Sequence, residues 1–490
     1  MPGFHCAMKR LPRTFHGRRN FNFVVAEPSF FIRIGLMRHQ LLLALCLSAL
    51  TTSLRADDWP QWLGPQRDGH WRETGIVKSF PAGGPPVRWR TPIGSGYTGP
   101  AVAGGRVFLT DRVLTQGAKN PSNPFNRGVI PGNERVLCLD EATGKILWQR
   151  EYECPYDVSY PAGPRATPVV SGGRVWTLGT EGHFFCLDAQ DGKVIWSREF
   201  KKDFNAKTPI WGFAANPLLD GNKLICLVGG ESSVAMAFDK DTGKELWRAL
   251  TAKEPGYAPP MIFQAGGKRQ LIIWHPESLN SLDPETGKVY WSEPFAVRSG
   301  LTVPAPRVLG DKLFITSFYN GPLMLKLAAD KPAAEVIWRG TSSNERNTDK
   351  LHAIMCTPWF EDGHIYGVCS YGQLRCLKAD TGERLWETFK ATGATGADGG
   401  RNDRWAHAFL IKHADRFFIP NEKGDLIIAK LSPQGYEEIS RAHLLEPTGN
   451  AGARPVVWSH PAFANKRAYM RNDKELICVD LAEGAKLPPK

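Results

Sequence analysis

The sequence predicts an all-β protein, an eight-bladed β-propeller of four-stranded repeats whose ring is closed by an N-terminal strand joining the last blade. Three observations predict it. The 490 residues hold 16 tryptophans, with turn-forming residues spread evenly and no long apolar periodicity of helical type. One motif returns along most of the chain: LCLDEATGKILW ends at Trp148, FCLDAQDGKVIW at Trp196, MAFDKDTGKELW at Trp247, NSLDPETGKVYW at Trp291 and RCLKADTGERLW at Trp386. Its aspartates, Asp140, Asp188, Asp239 and Asp283, are spaced 48, 51 and 44 residues apart, a period that suits four short strands per unit.

Each motif position has a structural reading. The aspartates accept hydrogen bonds from backbone just ahead of them, and Gly144, Gly192, Gly243, Gly287 and Gly382 supply the positive φ of a hairpin turn. The closing tryptophans, including Trp338 of a degenerate copy, suit packing between neighbouring blades. A second pattern precedes each copy: a proline or small residue, a strand, a glycine turn and another strand, as in ATPVVSGGRVWTL from Ala166. Eight such pairs of hairpins occur, but the last, at Ile477, lacks a fourth strand. The missing strand is expected around Trp89, in PPVRWRTP. The loop Asp239–Gly243 opens like a calcium-binding EF-hand, but Leu250 stands where the closing glutamate belongs.

Segment boundaries follow from composition. Residues 37–56 read as a cleaved signal peptide, with Arg38 and His39 before the apolar run Leu41–Leu50 and a cleavage site after Ala56. Residues 1–36 read as a mispredicted extension ahead of the start at Met37. Residues 57–84 form an N-terminal extension, 85–482 the propeller and 483–490 a tail. The net charge of +12 is concentrated at the start, where residues 1–56 carry +7. That distribution argues for targeting and against a nucleic-acid face. The expected place is periplasmic or secreted, with no transmembrane span in the mature chain and a monomeric state. Eight cysteines follow Ala56, none adjacent and none in a CxxC pair, so they read as small buried strand residues.

The repeats resemble the PQQ-like repeats of quinoprotein dehydrogenases, which also form the smaller propeller of the outer-membrane β-barrel assembly lipoprotein. The stretch DWPQWLGPQRDG, Asp57–Gly69, resembles the opening of exported PQQ-like proteins of the planctomycete type. The dehydrogenase resemblance would imply PQQ with calcium over the axis, yet neither a vicinal cysteine pair nor an alignable calcium set is present. Kinase, zinc-protease and serine-hydrolase motifs are also missing. No cofactor, metal site or catalytic set is therefore predicted. The assembly-lipoprotein resemblance implies a scaffold that binds a protein or cell-envelope component.

The loops leading from one blade to the next vary most, and in a propeller they gather on one face of the axis. They carry Arg165, Trp211, His352, Arg404, Trp405, His407 and Trp458, the expected ligand-binding residues. Arginine beside aromatic rings suits a flat anionic or sugar-like ligand. The stretch 389–404 has the glycine-rich composition of a lid.

Overall fold

The computed structural model describes residues 57–394, 403–452 and 454–486. The leader 1–56 and residues 487–490 of the tail lie outside them, as does half of the lid stretch, residues 395–402. Among the described residues, eight four-stranded antiparallel sheets form the blades. Blades 1 to 7 run in order as 101–153, 169–199, 218–249, 261–294, 307–339, 359–388 and 411–443. Blade 8 takes three strands from 462–480 and its outer strand from Val87–Pro92. Trp89 pairs with Cys478 and Arg90 with Ile477, so the ring closes as the strand count requires. No described helix is long and apolar enough to cross a membrane.

The repeated motif explains how blades hold each other. Asp188 Oδ1 accepts the Gln190 amide at 2.7 Å, and Asp140 Oδ1 accepts the Thr143 amide at 2.8 Å and its hydroxyl at 2.7 Å. Asp239 and Asp283 do the same for their turns. All the motif indoles but one then reach the next blade and donate to a carbonyl of its turn, beside the aspartate where the motif has one. Trp89 meets Glu141 O at 2.9 Å, Trp148 meets Ala189 O at 3.1 Å, and Trp196 meets Lys240 O at 2.9 Å. Trp247 and Trp338 bond Pro284 O and Ala379 O, and Trp386 bonds Ser432 O. Trp291 departs from the pattern because blade 5 lacks the Asp–Gly turn, and its indole bonds Gln270 of its own blade at 2.8 Å. Each such ring removes about 150–250 Å² from water, roughly 4–6 kcal/mol before ordering entropy is subtracted.

The motif glycines have a second duty that local sequence does not reveal. A Cβ on Gly192 would lie 2.6 Å from the Trp148 ring; Gly144 meets Trp89 at 2.5 Å, and Gly243 and Gly287 meet Trp196 and Trp247 at 2.7 Å. Gly382 lies against Trp338 and Lys350. The absent side chain lets the ring of one blade lie flat on the turn of the next. Gly192→Ala is therefore expected to cost about 1–3 kcal/mol more than Gly173→Ala in thermal unfolding. Both glycines have φ near +75, but nothing lies within 4 Å of the Gly173 position, so the difference isolates the ring contact. Equal losses would refute it.

All eight described cysteines are buried and free. Cys138, Cys186, Cys376 and Cys478 stand opposite Trp148, Trp196, Trp386 and Trp89 in the sheet register. A small side chain there leaves room beside the indole.

The extension 57–84 is no loose arm. Trp59 exchanges two backbone hydrogen bonds with Val102 of blade 1, and Pro60 O accepts the Val170 amide of blade 2. Arg67 donates to Pro217 O at 2.8 Å, Asn216 O at 3.2 Å and Pro260 O at 3.4 Å, at the starts of blades 3 and 4. Asp68 O accepts from Arg307 of blade 5 at 2.9 Å. His70 meets Trp359 of blade 6 edge-on, Trp71 bonds Lys412 O of blade 7, and the Trp71 ring lies 5.0 Å from Phe463 of blade 8. The strap thus visits the innermost strand, or the residue leading into it, of every blade in turn. Glu73 fastens its end by accepting the amides of Asp57 and Asn465 and the Trp71 indole.

Candidate functional site

Opposite the strap, the connections between blades surround a cavity of about 760 Å³, within the range of about 300–1,000 Å³ typical of small-molecule sites. All eight connections contribute: Tyr97, Tyr160, Trp211, Tyr257, Leu301, Thr357, Trp405 and Trp458 are one representative of each. Trp62 of the strap closes the inner end. Phe125 reaches the mouth from a long insertion between the second and third strands of blade 1. Its ring lies 5.1 Å from Tyr160 and 5.5 Å from Trp405, and Tyr160 stacks on Trp458 at 5.7 Å. These rings come from positions some 330 residues apart in the chain, between Phe125 and Trp458.

Three cavity residues hold backbone conformations that favour glycine: Tyr160 with φ +56, Ser299 with +59 and Trp405 with +66. Each costs of order 1–3 kcal/mol and persists because its surroundings enforce it. The Tyr160 amide donates to Pro124 O at 2.6 Å, and the Trp405 amide to Ser370 O at 2.9 Å. Strained residues of this kind cluster at active sites, ligand clamps and switch regions.

Of the seven sequence-derived residues, Arg165, Trp211, Arg404, Trp405 and Trp458 line the cavity. His352 and His407 do not. His352 is fully buried and ties its own loop, with Nδ1 3.2 Å from Phe318 O and Nε2 3.0 Å from Asp349 Oδ1. His407 is buried behind Trp458, with its ring against Phe409 and both nitrogens without a hydrogen-bond partner. Arg165 is turned onto its own loop: its terminal nitrogens donate to Gly163 O, Ser159 O and Tyr160 O, and it lies over the Tyr97 ring. Arg404 pairs with Glu345 at 2.6 Å and bonds Tyr319. Residues missed in the sequence include Trp62, Phe125, Tyr160 and Glu254. Only the non-glycine turn at Tyr160, in a proline-rich loop, left a faint local sign.

Burial drives the His407 imidazole down to about 3, so it stays neutral in the fold. The unfolded chain binds that proton near pH 6.5, so the contribution is complete above that pH and falls away toward pH 3. Acidification from pH 7 to 4 is expected to lower Tm, and less so in His407→Gln. An unchanged pH slope in the variant would contradict this.

PQQ with calcium would draw on carboxylates for the ion and on cations for the anionic cofactor. Among the described residues, no three His, Cys, Asp or Glu side chains gather as a metal site. Arg165 donates to its own loop carbonyls and Arg404 to Glu345, while Lys253 lines the cavity without an ion pair among the described residues.

The fold and the cavity together define a propeller of PQQ-like repeats, plugged at one end of its axis and open at the other. Residues 132–388 and 277–488 match the family described as outer membrane protein assembly factor BamB, and the chain belongs to that family. No curated protein matches the sequence. Among solved structures, BamB from Moraxella catarrhalis shares the fold with a TM-score of 0.50 and 16% identity, over 81% of this chain and 99% of that one. The computationally designed Ika8 protein gives 0.49 at 10% identity, over 79% and 97%. Quinohemoprotein alcohol dehydrogenase from Comamonas testosteroni gives 0.42 at 14%, over 90% and 83%. Identities this low speak for fold alone.

Proposed function

We propose that the protein is an exported binding module that holds a protein or cell-envelope component at the axial cavity. The observation that carries this reading is the cavity's construction: two strained aromatic residues, Tyr160 and Trp405, on separate inter-blade connections, around a space closed from behind by Trp62 of the strap. Family membership supports a scaffold role. Export rests on the apolar segment before Ala56.

The test is site-specific photo-crosslinking in intact cells. Benzoylphenylalanine replaces Phe125, 43% exposed at the cavity mouth, or Leu147, 48% exposed on the outer strand of blade 1. A discrete crosslinked product from position 125 and none from 147 is expected. Crosslinking from 147 alone would move the binding surface to the outer rim and overturn the reading.

A further inference from the structure

The polar groups of the cavity narrow its ligand, an inference that rests on the binding role proposed above. An anionic ligand needs a surplus of cations, but Arg404 is paired with Glu345, and the other two lining cations, Arg165 and Lys253, are matched by Glu254 and Glu277 on the same wall. A cationic ligand needs an unopposed acidic wall. Here Glu254 has Lys253 as its chain neighbour, and Glu277 accepts the Lys253 amide at 2.9 Å. A wholly apolar ligand would leave four cavity side chains as they are, each with a buried polar atom and no partner: Tyr160 Oη, Glu254 Oε2, Arg404 Nε and His460 Nδ1. Each unpaired group costs about 1–3 kcal/mol, which a ligand able to pair with it returns.

The remaining class is neutral, with flat apolar faces and a rim of groups that both donate and accept. A pyranose ring has that chemistry: its C–H face lies on an aromatic ring, and its hydroxyls pair with carboxylate, phenol and imidazole. We infer that the axial cavity is a carbohydrate site that takes a short neutral saccharide. Trp211 and Trp405 offer the stacking faces, and Glu254, Tyr160 and His460 the hydrogen-bonding edge. Tyr160 is only 8% exposed, and its strained backbone fixes the ring at the wall. Burial lowers the His460 pKa, so its imidazole meets a hydroxyl in the neutral form, as donor on one nitrogen and acceptor on the other.

The experiment is calorimetric titration of the purified protein, with tryptophan fluorescence in parallel. The probes are cellobiose, maltotriose and diacetylchitobiose, against digalacturonic acid, chitosan dimer, and PQQ with calcium. Saturable binding of at least one neutral saccharide is expected. Glu254→Gln and Trp211→Ala should each weaken it about tenfold, the size of one lost charge-assisted hydrogen bond, while Leu147→Ser leaves it unchanged. Thermal melts check that each variant is folded, and the conservative Glu254→Gln keeps the test valid if Trp211→Ala is not. Failure of all three neutral saccharides, tighter binding of a charged probe or of PQQ, or indifference to Glu254→Gln would overturn the inference. If the saccharides fail while crosslinking at position 125 persists, the ligand class is wrong and the binding role stands. If both fail, the binding role falls too.

Discussion

Deletion of residues 57–95 is expected to open the ring and leave the protein mostly aggregated. The deletion removes the strand Val87–Pro92, so the edge of Glu475–Asp480 loses its partner and exposes a row of unpaired backbone groups. It also removes Trp89 from the Gly144 turn of blade 1, together with its bond to Glu141 O. Three further buried rings, Trp59, Trp62 and Trp71, leave with the strap. At roughly 4–6 kcal/mol of gross burial each, the loss rivals the whole stability of a typical fold, about 5–15 kcal/mol. Size-exclusion chromatography with light scattering reads the outcome. A monodisperse monomer with native near-ultraviolet circular dichroism would refute ring closure through the N-terminal strand.

The second large effect is expected at Arg67. The side chain is 4% exposed, lies 5.6 Å over the Trp62 ring and serves carbonyls at the starts of blades 3 and 4. Burial pulls its guanidinium down to about 9, which still leaves it charged at neutral pH. Arg67→Met strands three carbonyls at about 1–3 kcal/mol each, and relief of the buried charge offsets part of that. A net loss of about 3–5 kcal/mol follows. Arg67→Lys should restore little, because one ammonium lacks the fork that reaches two blades. Chemical denaturation measures both variants, and a variant as stable as the parent would show that the strap is held by its tryptophans alone.

The propeller was legible because its information is local and repeated. Asp188 to Trp196 carries its own turn, and the same nine-residue logic at Asp140, Asp239 and Asp283 excludes coincidence. Ring closure was legible for a related reason: strands come in fours, so the orphan strand at Trp89 had to complete the blade at Ile477. Five of the seven loop residues expected at the axial face do line the cavity, because any residue on those connections starts near the axis. Their roles were not legible. Arg165 was read as available for an anion, whereas the fold turns it onto its own loop carbonyls, which only the loop's conformation could arrange.

By itself, then, the sequence determined the blade, the number of blades and the place where the ring closes, since short-range hydrogen bonding and alternation of burial decide them. Tertiary structure alone decided the second duty of Gly192, the path of the strap and the character of the cavity. Each depends on side chains brought together from far apart: Gly192 against Trp148 of the previous blade, Arg67 against Pro217 and Pro260, and Tyr160 against Phe125 and Trp458. Contacts of that kind have no period to read. They exist only once the ring has closed and set eight separate connections around one axis.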